Sequence, residues 1–181
     1  MDKEKNMLKP FMEMPTRHWH FEEILKDADI SRPQASIWLR KFIKKGLIKR
    51  TKEKGKMPYY TANYENPDFQ LIKKIYALEQ MGESGLIRHL SSLPKAKDVI
   101  IFGSMARWDW HRGSDIDLFI YGAPDGLETG IYRKKLHKEI QAFICRDKNE
   151  LKKLSPALLR NIAEGHIVKG SLDFLQVKAN A

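Results

Sequence analysis

Residues 99–122 read "VIIFGSMARWDWHRGSDIDLFIYG", and the fold turns on how the two apolar runs in this stretch are read. "DVIIF", which runs into it from Asp98, is short and almost continuously apolar, as suits a strand covered on both faces. "DIDLFIY" alternates instead, so Asp115, Asp117 and Phe119 project to one face and Ile116, Leu118 and Ile120 to the other. Two carboxylates on one strand face stand about 7 Å apart at Cβ. That spacing can share one or two divalent cations bridging a phosphate, since Mg²⁺ is held by one or two carboxylates with phosphate oxygens and waters. Between the runs, Gly103 lets the backbone approach a ligand closely. Ser104 opens "SMAR", read as a helix N-terminus whose free N–H groups face a triphosphate. A capped strand start would also explain an isolated Asp-x-Asp. The Gly-Ser pair at a fixed distance before it favours a site.

"GSMAR", a loop, then "SDIDLFI" resembles the minimal nucleotidyltransferases of the DNA polymerase β-like superfamily. The shared pattern is Gly-Ser, ten residues, then Asp-x-Asp, met here by Gly103, Ser104, Asp115 and Asp117. Ala106, Arg107 and Ser114 match as well, and the resemblance runs from about Pro94 to Gly170. It implies a small α/β fold with a mixed sheet, a nucleoside triphosphate substrate, Mg²⁺ or Mn²⁺, and transfer of a nucleoside monophosphate to an acceptor. Asp115 and Asp117 would hold the metal and carry the catalysis. Gly103 and Ser104 would cradle the β- and γ-phosphates, with Arg107 and Ser114 beside them. Two departures stand out. Trp108 occupies a position usually held by glycine. In "EIQAFIC", the strand expected after the helix "GIYRKKLHKEI", Gln141 falls where a third carboxylate aligns, and Glu139 lies two residues earlier on the same side. Glutamine brings neither charge to a metal nor a base: either Glu139 serves as the third catalytic carboxylate, or Gln141 is not in the register of that acid, or the chain binds nucleotide and catalyses poorly. The resemblance also implies a possible toxin-like protein partner.

Upstream, "HFEEILKDA" places Phe21, Ile24, Leu25 and Ala28 on one helical face. Ser31-Arg-Pro-Gln34 has the form of a capping box. The helix it opens carries Ala35, Leu39, Phe42 and Ile43 inward and stops near Gly46. "GLIKRT" and "MPYYTAN" then read as two strands around the tip "KEKGK". This order resembles a winged helix-turn-helix. Turned with its apolar stripe inward, the second helix presents Arg32, Gln34, Ser36, Arg40 and Lys41. Arg and Gln can pair bidentately with base edges, while Lys52, Lys54 and Lys56 at the tip would meet phosphates. A solvated or protein-docking face is the alternative. Further on, "NPDFQLIKKIYALEQMGESGLIRHLSSLP" reads as a connecting helix broken at "GESG", with a possible dimer contact.

The expected organisation is α+β: a winged helix over residues 1–66, a connecting helix over 67–93, and a nucleotidyltransferase domain over 94–181. Composition agrees. Of the 181 residues, 42% are hydrophobic and 31% charged, which permits a buried core. No apolar run approaches the ~18–20 residues of a membrane helix. The mixed-charge N-terminus and the single cysteine, Cys145, suit a cytoplasmic protein. The net charge of +10 is concentrated in residues 40–56, with nine Lys or Arg against Glu53 alone. Such a field draws the phosphates of double-stranded DNA. His18 and His20 lack the spacing of a helical zinc pair. Three function classes therefore stand: a nucleotidyl-transferring enzyme that binds DNA, a DNA-binding regulator whose nucleotide site only senses, and, by the family resemblance alone, an antitoxin-like protein that binds a partner.

Overall fold

The structure is a computed structural model and describes residues 3–175. It separates into two compact units. One comprises the chain up to Lys73 with Trp110–Arg112, and the other Lys74–Asp109 with the chain from Gly113 onward.

The first unit opens with a helix, α1 (Lys3–Glu13), that sequence periodicity did not announce. Met7, Leu8, Phe11 and Met12 are buried along one side of it, with Pro10 among them. Helices α2 (Phe21–Ala28) and α3 (Arg32–Lys44) follow, then β1 (Ile48–Thr51) and β2 (Tyr59–Ala62), which pair antiparallel. The stripe expected for α3 is buried at Ala35, Leu39 and Phe42, while Ile43 is 37% exposed. Gly46 ends the helix at φ +69°, a conformation that glycine adopts without strain. Trp19 exchanges both backbone hydrogen bonds with Tyr60, at 2.9 and 2.8 Å, tying the entry of α2 to the hairpin. His18 stacks on Tyr59, and His20 Nδ1 lies 3.1 Å from the Pro58 carbonyl.

The capping box expected at Ser31 does not form. The Ser31 hydroxyl donates to the Gln34 side-chain oxygen at 3.2 Å and caps no backbone N–H. Pro33 has already removed one donor from that first turn. Cap bonding occurs one helix earlier, where the His20 backbone N–H donates to Glu23 at 2.8 Å.

Helix α4 (Pro67–Ser84) spans the boundary between the units, and Gly85 at φ +88° separates it from α5 (Leu86–Ser91). The second unit is built on a mixed sheet. Its strands are β3 (Ala96–Phe102), β4 (Ile116–Gly122), β5 (Ile140–Cys145) and β6 (His166–Lys169), in the order β5-β4-β3-β6. β3 pairs antiparallel with β4 and β6, and β4 runs parallel to β5. Helix α6 (Gly130–Leu136) makes the crossover to β5. Helices α7 (Lys148–Leu151) and α8 (Pro156–Ala163) and the 3-10 turn Asp173–Leu175 complete the unit. One sheet face carries a core of Ile100, Phe102, Phe119, Tyr121 and Cys145 against Leu151, Ile162 and Phe174. Val99, Ile101, Leu118 and Ile120, on the other face, are buried too. That double burial is why β3 reads as a continuous apolar run. Among the described residues no helix is long and apolar enough to cross a membrane.

Candidate active site

Antiparallel pairing sets Phe102 opposite Asp117, so the chain leaving β3 at Gly103 passes directly over the aspartate. Gly103 has φ +74°, and a Cβ built on it would lie 2.3 Å from Asp117 Oδ2. Only glycine allows this approach. Asp117 shares its face with Phe119 and Tyr121, at the rim of the core, and Asp115 lies immediately before β4. Both carboxylates are half-buried. Burial, and then the charge of Asp115, push the Asp117 carboxyl above its ordinary range, while Arg107 pulls it down. Two hard oxygen donors in mutual repulsion fit a divalent cation such as Mg²⁺.

The segment after Gly103 is one turn, not the expected helix. Ala106 and Arg107 donate to the Gly103 carbonyl, Arg107 also to Ser104, and the pattern then stops. The Arg107 guanidinium turns to Asp109, two residues on, in a bidentate pair of 3.1 and 3.0 Å. Asp109 raises the basicity of Arg107 further, with smaller contributions from the charges of Glu164 and Asp117. Asp109 thus holds Arg107, whose charge acts on Asp117, a contact that sequence reasoning missed. A two-residue reach becomes legible only once the chain is known to bend there. Ser114 is buried, and its carbonyl accepts from Lys138 Nζ at 3.1 Å.

Parallel pairing sets Gln141 in register with Asp117, on the same sheet face. Its amide donates to Asp115 Oδ2 at 2.6 Å. Glu139 sits just before β5. Its backbone carbonyl accepts from Ile116 N–H at 2.9 Å, while its exposed carboxylate accepts a hydrogen bond from Arg133. Among the described residues no third Asp, Glu, His or Cys gathers with the pair into a metal-holding group.

The nucleotidyltransferase domain family matches residues 84–176, more than half of the chain. The chain belongs to this family. Gly103 and Asp117 meet within this nucleotidyltransferase domain. Among solved structures it is similar, at 17% identity and a TM-score of 0.32, to a chain of a mutant of the toxin–antitoxin pair MntA–HpeT. That likeness covers 55% of this chain and 75% of the other. No curated protein matches the sequence.

In the first unit, Arg32, Gln34 and Arg40 are exposed on α3 and Ser36 is half-buried. Arg32 pairs with Glu22 at 2.8 Å. Lys41 is drawn to Glu4 of α1 at 3.1 Å and lies over the Trp38 ring. At the hairpin tip Lys52, Lys54 and Lys56 are exposed, and Lys56 pairs with Glu53 at 2.6 Å. Ser36 and Arg40 share a cleft with Arg50 of β1 and Tyr60 of β2.

Proposed function

We propose that this nucleotidyltransferase is metal-dependent, moving a nucleoside monophosphate from a triphosphate to an acceptor, and that its first unit binds double-stranded DNA as a winged helix. The observation that carries the first part is Gly103 laid over Asp117, whose charge is coupled to that of Asp115. A positive-φ backbone passing above a carboxylate with a second beside it in sequence is a place where phosphate oxygens, cation and main chain can meet. Asp115 and Asp117 would hold Mg²⁺ or Mn²⁺, which supplies charge neutralisation for displacement at the α-phosphorus. The backbone at Gly103 and Ser104 orients the β- and γ-phosphates. Arg107, tethered by Asp109, would help to neutralise charge on the leaving pyrophosphate, and Ser114 would support the nucleotide site from the start of β4.

For the first unit, the reading rests on the shared cleft: α3 and the hairpin form one surface, basic along its edge. The ion pairs of Arg32, Lys41 and Lys56 do not oppose it. Exposed pairs are worth about 0–1 kcal/mol, and a phosphate can replace the carboxylate partner.

The test is thermal melting of the wild type and of Asp115→Asn, Asp117→Asn with Mg²⁺ and each triphosphate. The wild type should gain stability by mass action, about 2.7 kcal/mol at a hundredfold excess over Kd. The double variant should lose that gain, yet its apo form should melt no lower, because the repulsion has gone. An apo variant melting far below wild type would show the aspartates to be structural and end this reading.

A further inference from the structure

Helix α4 carries an exposed apolar face. Leu71 is 56% exposed, and Ile75, one turn further along the same helix, is 45% exposed. A leucine exposed by itself is ordinary on a soluble protein. Leu71 is different because it borders a hollow of about 320 Å³, together with the buried Leu47 and the half-buried Ile72. Two exposed charges of opposite sign complete the lining: Lys45 at the end of α3 and Asp68 in the first turn of α4. Lys45 is only loosely engaged. Its Nζ lies 4.0 Å from one oxygen of Glu4, whose other oxygen takes Lys41 at 3.1 Å. Asp68 pairs with no cation among the described residues.

We propose that this hollow is where a second copy of the chain docks. A two-fold pair meets through the same patch on both copies, so the patch has to complement itself. An apolar centre bordered by one charge of each sign does so. Leu71 of each copy enters the other's hollow, and Lys45 of each meets the carboxylate that Asp68 supplies on the other. A nucleic acid phosphate would be repelled by Asp68, and a partner of one charge sign would leave either Lys45 or Asp68 unmatched. The patch is small beside the roughly 800 Å² per partner of a stable interface. The pair is therefore weak and forms as concentration rises.

The experiment is sedimentation equilibrium of the full chain over a series from about 1 µM to about 1 mM. The wild type should pass from the monomer mass towards that of a dimer. Leu71→Glu should remain monomeric throughout. Lys45→Glu and Asp68→Lys should each weaken the dimer about tenfold or more, because like charges then face one another. The double variant Lys45→Glu, Asp68→Lys exchanges the two signs and should recover most of the loss. Thermal melting at the lowest concentration checks that each variant is folded. Asp68→Lys should melt slightly lower, since it puts a cation in the first turn of α4, and this leaves the mass readout untouched. A wild type that stays monomeric across the series would overturn the proposal. So would a dimer indifferent to Leu71→Glu or to the single reversals, or a double variant no stronger than either of them.

Discussion

At Gly103 two constraints fall on one residue. The left-handed backbone costs any other side chain of order 1–3 kcal/mol, and a Cβ would strike the Asp117 carboxylate. Gly103→Ala should therefore destabilise the fold and also abolish the melting shift given by Mg²⁺–triphosphate. Gly55→Ala is the control. Gly55 has φ +75° and nothing within 4 Å of its Cβ, so it should show the strain alone and keep the nucleotide response. Asp117 predicts a pH dependence. Its folded pKa lies above the unfolded value, so the native state holds the proton more tightly, and apo stability falls as pH rises through that window. Asp117→Asn should remove this fall, seen as a flatter melting temperature from the ordinary aspartate range upward. The signature residues were legible because Gly-Ser and Asp-x-Asp each report backbone geometry. The Arg107–Asp109 clamp was not, because it depends on a turn that halts after four residues.

Among the elements, the entry of α2 shows how a small contact sets a boundary. Glu23 is held below the usual carboxylate range, first by the His20 N–H and also by Arg17 at 2.8 Å. The sign here is opposite to that of Asp117: the stabilisation is present above the unfolded pKa and fades as pH falls through the lowered folded value. Glu23→Ala should cost roughly 0.5–1 kcal/mol at pH 7. The gap between the urea midpoints of variant and wild type should shrink toward pH 3. Strand β3 was readable as a short continuous apolar run and β4 from period-two alternation, and both faces of the pair are buried. Helix α1 was hidden by Pro10, which usually ends a helix. Here burial of Met7, Phe11 and Met12 outweighs the lost hydrogen bond. The cap expected at Ser31 stood at His20 instead, where a histidine gives no familiar sequence signal.

For the whole molecule, charge governs encounter with other molecules. If the proposed DNA surface is used, affinity should fall steeply with salt, with a log–log slope of about 0.9 for each phosphate neutralised. Replacing Lys52, Lys54 and Lys56 with Ala should flatten that slope and weaken all sequences alike, whereas Gln34→Ala should change preference among sequences. A gel-shift series at several salt concentrations separates the two. Strand β5 carries a different consequence for how copies of the chain meet. Among the described residues it is hydrogen-bonded only to β4, and its sequence "IQAFIC" has no charge and no proline, with Ala142 and Ile144 exposed. An open edge of this kind is a template for intermolecular strand pairing and aggregation. On heating, light scattering should rise soon after unfolding begins, and Ala142→Lys should delay it while leaving the melting midpoint close to that of the wild type.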